Sequence, residues 1–93
     1  MQEKHVEQTL VQATKRAGGH ALKLVSPGIA GMPDRLILLP GGKTGFIEVK
    51  APGKKPRPLQ VRRQHQLRQL GFTALTIDHP NQIPGALHAI QTA

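Results

Sequence analysis

Apolar residues recur at Val6, Leu10, Ala13 and Ala17, a spacing that lines one face of a helix over Gln2 to Ala17. Gly18-Gly19 supplies the stop, because glycine tolerates the left-handed conformation at a helix end. Lys15 and Arg16 in the last turn suit the helix dipole. The period then changes to two. His20 to Val25 alternates, with Ala21, Lys23 and Val25 on one side and Leu22 and Leu24 on the other, which predicts a strand. Two short apolar runs, Leu36–Leu39 and Phe46–Val49, flank a Pro-Gly-Gly-Lys-Thr-Gly segment and predict a β-hairpin. Pro58 opens a second helix that runs to Leu70 and stops at Gly71. Phe72 to Asp78 alternates again. Asn81 to Thr92 carries Ile83, Ala86, Leu87 and Ile90 at helical spacing, with Pro84 in its first turn. The order α-β-β-β-α-β-α predicts an α/β fold, a small mixed β-sheet flanked by helices, as one domain over residues 1–93.

The hairpin carries acids in unusual places. Asp34 opens its first strand, and Glu48 sits late in the second with Lys50 two residues on. Period-two alternation puts Glu48 and Lys50 on one face. A turn centred on Gly41 and Gly42 gives antiparallel partners whose numbers total about 83, give or take a residue for turn type. Asp34 joins Glu48 and Lys50 if that total is even and faces away if it is odd, and a Gly-rich turn permits either. Two carboxylates this close resist joint ionisation unless a cation lies between them. An all-oxygen donor set suits a hard ion, Mg²⁺ or Mn²⁺, and Lys50 adds a positive charge for a phosphate. Taken singly, an Asp at a strand start is a common turn residue, and Glu-x-Lys is a common solvated stripe.

Composition sharpens this. Lys and Arg number 13 against 5 acids, a net charge of +8, which points to a polyanionic partner such as nucleic acid. The segment Ala51 to Pro58 holds Lys54, Lys55 and Arg57 among three prolines, an extended phosphate rail or a solvated linker. Arg62 and Arg63 add charge to the following helix, and Lys23 faces either the acids or water. On that helix Gln60 and Gln64 extend an otherwise apolar stripe, as hydrogen-bonded core trim or as groups aimed at a site. Glu7 borders the apolar stripe of the first helix. Spacing makes it an exposed first-turn acid or a third carboxylate leaning toward the hairpin. The loop from Ser26 to Pro33 has two Gly and two Pro but lacks the spacing of a phosphate-cradling loop. There is no cysteine, so disulfides and thiolate metal sites are excluded. The five histidines lack zinc spacing. No apolar signal core and no membrane-length run is present, the longest aliphatic run being four residues, so a cytoplasmic protein is expected. With two Phe and no Trp or Tyr the core is thin, and a second subunit would help it.

Gly31-x-Pro33-Asp34, then Glu48-Val49-Lys50-Ala51, then Pro58-x-Gln60 with Gly71 following, together with an upstream helix bearing Glu7, resemble the virus-type replication-repair nuclease (VRR-NUC) family of the PD-(D/E)xK nucleases. The resemblance spans nearly the whole chain. It implies a restriction-endonuclease-like core in which Asp34, Glu48 and the backbone carbonyl of Val49 bind a divalent metal. Glu7 would serve through water or a second metal. Lys50 would orient the attacking water, and Gln60 would fix the site from the second helix. It further implies a minimal stand-alone form of phage type, similar to small homodimeric resolvases that act on branched, Holliday-junction-like DNA in the cytoplasm of a bacterium or phage-infected host. The expected function is therefore a metal-dependent DNA endonuclease. The alternative is a non-catalytic basic DNA-binding module on the same fold.

Overall fold

The computed structural model describes residues 1–93. Helix α1 (Glu3–Arg16) leads into strands β1 (His20–Lys23), β2 (Arg35–Leu39) and β3 (Lys43–Val49). Helix α2 (Pro58–Gln69), strand β4 (Thr73–Ile77), a 3₁₀ turn (Pro80–Gln82) and helix α3 (Ile83–Thr92) complete the chain. One sheet runs β1-β2-β3-β4. Its first three strands are antiparallel, and β4 lies parallel to β3 because α2 carries the chain back across the sheet. The α/β order read from the chain is the order observed.

The two faces of the sheet differ. Ile37, Leu39, Ile47, Val49 and Ile77 point to one side, where Val6 and Leu10 of α1 and Ile83, Ala86 and Ile90 of α3 close the core. Helix α2 covers the other face on the β3–β4 side, and it does so largely through polar bonds. Gln64 Nε2 donates to Thr76 Oγ1 (2.6 Å), and Arg68 Nε donates to the Ala74 carbonyl (2.9 Å). The β1–β2 side of this face is left open. Leu22 pairs with Leu36, and Leu36 with Phe46, so these three form one apolar row across the sheet. Leu22 remains 46% exposed. Phe46 meets Phe72 edge to face, with ring centroids 5.5 Å apart.

Element ends shift where side chains or turns take the backbone bonds. Strand β1 stops at Lys23, short of the expected Val25. The N–H of Leu24 still donates to the Asp34 carbonyl, but Pro27 follows close behind. Strand β4 starts one residue late, because the Phe72 N–H closes the end of α2 on the Leu67 carbonyl. It ends at Ile77 because the Asp78 N–H goes to Gln82 Oε1. That oxygen also accepts from His79, and His79 Nδ1 accepts from the Asn81 N–H, which holds the 3₁₀ turn and delays α3 to Ile83.

The hairpin turn is the consequential detail. Leu39 pairs with Lys43, so the loop is three residues, Pro40 to Gly42, centred on Gly41. Gly41 and Gly42 both take positive φ (82° and 74°), the conformation glycine reaches without a Cβ penalty. Arg35 then lies opposite Ile47 and Leu36 opposite Phe46, an even total. Continuing that pairing one step sets Asp34 across from Glu48 on the same face.

Candidate active site

Asp34 precedes β2, held by a short approach. Pro33 is fully buried, and Gly31 (φ 82°) sits so close to α2 that an added Cβ would lie 2.8 Å from Leu59 Cγ. Arg63 Nε reaches back to the Ala30 carbonyl (2.9 Å), tying α2 to the same loop. Asp34 Oδ1 accepts the Val49 N–H at 3.1 Å. Across from it Glu48 is 4% exposed. Its Oε2 lies 3.3 Å from Lys50 Nζ and accepts from Gln60 Nε2 at 2.9 Å. Gln60 Oε1 in turn accepts the Arg57 N–H at 2.8 Å, filling an open donor at the start of α2. One glutamine side chain thus ties the helix start to the buried carboxylate.

The electrostatics match this arrangement. Burial, then the charge of Glu48, pushes the Asp34 carboxyl up to about 6. The Val49 N–H works against that rise, and the Glu7 charge adds to it. Asp34 Oδ2 and Glu48 Oε1 take no hydrogen bond from any side chain. Two like charges on one face, each with a free oxygen, are a fit for a hard divalent cation, which relieves their repulsion.

Asp34, Glu48, Val49, Lys50 and Gln60 are therefore brought together. Glu7 is placed differently. It is half buried, and its Oε2 pairs with Arg35 Nη2 at 3.2 Å. No three Asp, Glu or His side chains lie close enough together to hold one metal ion. Lys23 pairs with Arg35 across β1 and β2, so it lies on the opposite face from the acids, exposed to water. Lys54, Lys55, Arg57 and Arg62 are exposed, whereas Arg63 is half buried by its bonds to Ala30 and Gln66.

The pattern of the chain does not single out two of the participants. Arg35 reads as an ordinary strand residue, although strict alternation from Asp34 sends it toward α1. Asp78 Oδ2 accepts the Gly53 N–H at 3.1 Å and anchors the basic segment to the end of β4. That bond lowers the Asp78 pKa. Gln64, the other glutamine on the α2 stripe, proves to be trim, bonded to Thr76 and to Arg68. The Gly53–Asp78 and Gln64–Thr76 bonds join residues distant in sequence, and no local signal announces them.

No family model matches the chain. A solved structure described as a VRR_NUC domain superposes with a TM-score of 0.85, covering 95% of this chain and 97% of the other at 27% identity. A curated phage protein, "Putative nuclease p44" of Acyrthosiphon pisum secondary endosymbiont phage 1, is 46% identical over 78 residues, 84% of each chain. The chain belongs to the VRR-NUC family of nucleases. In this VRR-NUC chain the paired acids lie at the end of the hairpin strands, with Lys50 and Gln60 against the buried member of the pair. No helix is long and apolar enough to cross a membrane.

Proposed function

We propose that this VRR-NUC chain is a divalent-metal-dependent DNA endonuclease, selective for branched, Holliday-junction-like substrates and active as a homodimer in the cytoplasm. The observation that carries the reading is the shared face of Asp34 and Glu48, with Lys50 Nζ 3.3 Å from the glutamate. Asp34, Glu48 and the Val49 carbonyl would hold Mg²⁺ or Mn²⁺, with Glu7 serving through water or a second metal. The ion supplies charge neutralisation at the phosphate and a more acidic water. Lys50 orients the attacking water and offsets negative charge as it develops on the phosphoryl oxygens. Gln60 keeps the Glu48 carboxylate in one orientation through its paired bonds. A P–O bond forms to water and the P–O3′ bond breaks, leaving a 5′-phosphate and a 3′-hydroxyl.

The +8 charge supports a DNA substrate, with Lys54, Lys55 and Arg57 exposed on the segment beside the site as phosphate contacts. The open row of Leu22, Leu36 and Phe46 supports the homodimer. It is a cation-free strip on a basic chain, so two copies could meet there without bringing like charges together. The test is a cleavage panel of four-way junction, flap and linear duplex with Mg²⁺ or Mn²⁺. Wild type should cut the junction in preference, and Asp34→Ala and Lys50→Ala should not. Cleavage that survives both substitutions would sink the reading, and DNA binding with no metal-dependent cleavage would favour a non-catalytic module.

A further inference from the structure

The connection between β1 and β2 holds no charged residue from Leu24 to Pro33, although the chain carries a net charge of +8. Its tip is a turn. The Ile29 N–H donates to the Ser26 carbonyl at 3.2 Å, and Pro27 and Gly28 lie between. Pro27 to Ala30 are exposed, and a Cβ added at Gly28 would meet no atom within 4 Å, so the tip stands clear of the body. Val25 (74% exposed) and Ile29 (49%) flank the turn. Exposed aliphatic side chains are ordinary taken singly, but these two sit on a loop that is held in place. The Leu24 N–H closes its base on the Asp34 carbonyl at 2.9 Å, and Pro33 is buried. Arg63 Nε ties it to α2 through the Ala30 carbonyl, and Leu59 packs on Gly31. One cation of a basic chain is thus engaged in fixing an uncharged loop.

We propose that Ile29, with Val25 beside it, is a wedge that enters an unstacked base step of the DNA next to the cut phosphate, and so selects branched over continuous duplex. The proposal rests on the reading of the chain as a DNA endonuclease and names the device that gives it selectivity. Placement is the first support. Ile29 is joined to Asp34 by five residues, at most about 18 Å when extended, which is about five nucleotides of one strand at about 3.4 Å each. Charge is the second. The basic segment with Lys54, Lys55 and Arg57 runs straight into α2, and Leu59, two residues past Arg57, is the side chain packed on Gly31. Cations for the phosphates therefore adjoin a loop with none, and an uncharged aliphatic tip suits the faces of bases rather than the backbone. Energetics give the selectivity. Opening a step in continuous duplex costs a few kcal/mol, whereas bases at a branch are already partly unstacked.

The test uses a four-way junction with 2-aminopurine, a base that brightens when unstacked, at the pairs flanking the branch. It is titrated to saturation with the full-length chain carrying Lys50→Ala, which keeps the DNA uncut. Fluorescence should rise on binding. Adding Val25→Ser and Ile29→Ser should remove most of that rise, and Ile29→Leu should restore it. Both side chains are exposed, so thermal melts of the serine chain should match the parent. With Lys50 intact, the serine changes should slow single-turnover junction cleavage by about tenfold or more, because the cost of opening the step is no longer offset. A rise that persists in the serine chain overturns the proposal. So does a serine chain that sediments as a monomer where the parent is a dimer, since the loop is then a contact between subunits. Junction binding with no rise removes this inference alone, whereas a chain that binds no DNA removes the endonuclease reading itself.

Discussion

Gln60 donates to Glu48 Oε2 at 2.9 Å with one end of its amide, and with the other accepts the Arg57 N–H at 2.8 Å. A helix start and a nearly buried carboxylate are joined through one rigid group. Gln60→Ala should therefore cost about 1–3 kcal/mol of stability, since it strips a buried carboxylate of a donor and a helix of a cap. It should also lower cleavage by about 10–100-fold through a looser Glu48. Melting curves and single-turnover cleavage read the two effects separately. A variant with full stability and full activity would show the bridge to be idle.

Lys50→Ala should lower single-turnover cleavage by about 10²–10³-fold, the usual loss on removing a group that stabilises developing charge. DNA affinity should hardly change, because Lys50 is one cation of the 13 Lys and Arg. Equal losses in binding and in rate would make it a phosphate anchor instead.

Asp34 titrates near 6 in the metal-free fold against an ordinary 3.8. A carboxyl with a raised folded pKa favours folding while protonated. That contribution is complete below 3.8 and is lost as pH rises through about 6. Metal-free protein should thus lose melting temperature between about pH 4 and pH 7.5, and Asp34→Asn should flatten this part of the profile. Protons compete with the cation for the same oxygens, so Mg²⁺ or Mn²⁺ affinity should weaken below about pH 6. Melts and metal titrations across that range check both, and an Asp34→Asn profile parallel to wild type would exclude Asp34 as the source.

Gly31 combines a φ of 82° with a backbone approach to Leu59 that leaves no room for a side chain. Gly31→Ala should cost about 1–2 kcal/mol from the left-handed conformation alone, with more from the clash. Because Pro33 and Asp34 hang from this loop, cleavage should fall further than stability predicts. The comparison of denaturant midpoints with cleavage rates tests it.

Replacing Lys54, Lys55 and Arg57 together by alanine should flatten the salt dependence of DNA binding. The slope of log affinity against log salt should drop by about 0.7–0.9 for each phosphate deprived of its cation. An unchanged slope would make the segment a solvated linker, placed by its Gly53–Asp78 bond for other reasons.

The sequence alone determined the elements, their order and the family. Periods of 3.6 and 2 in Val6–Leu10–Ala13 or His20–Val25 are local, and glycine and proline mark their ends by local sterics. Asp34, Glu48 and Lys50 were visible because the hairpin places them by short-range counting, whereas Gln60 on α2 and Glu7 on α1 were ambiguous from spacing and were raised only by the resemblance to the family. Tertiary structure decided the rest. One residue in the turn, Pro40 to Gly42, settled whether Asp34 faced Glu48 or turned its back, since a register slip moves every side chain to the other face. The same alternation put Lys23 on the far side from the acids. The partner of Glu7 was set by how α1 packs on the sheet, an ion pair across 28 residues of chain between Glu7 and Arg35 that no local pattern encodes. Local sterics choose strands and helices, but which charges meet depends on register and packing, and those exist only in the folded chain.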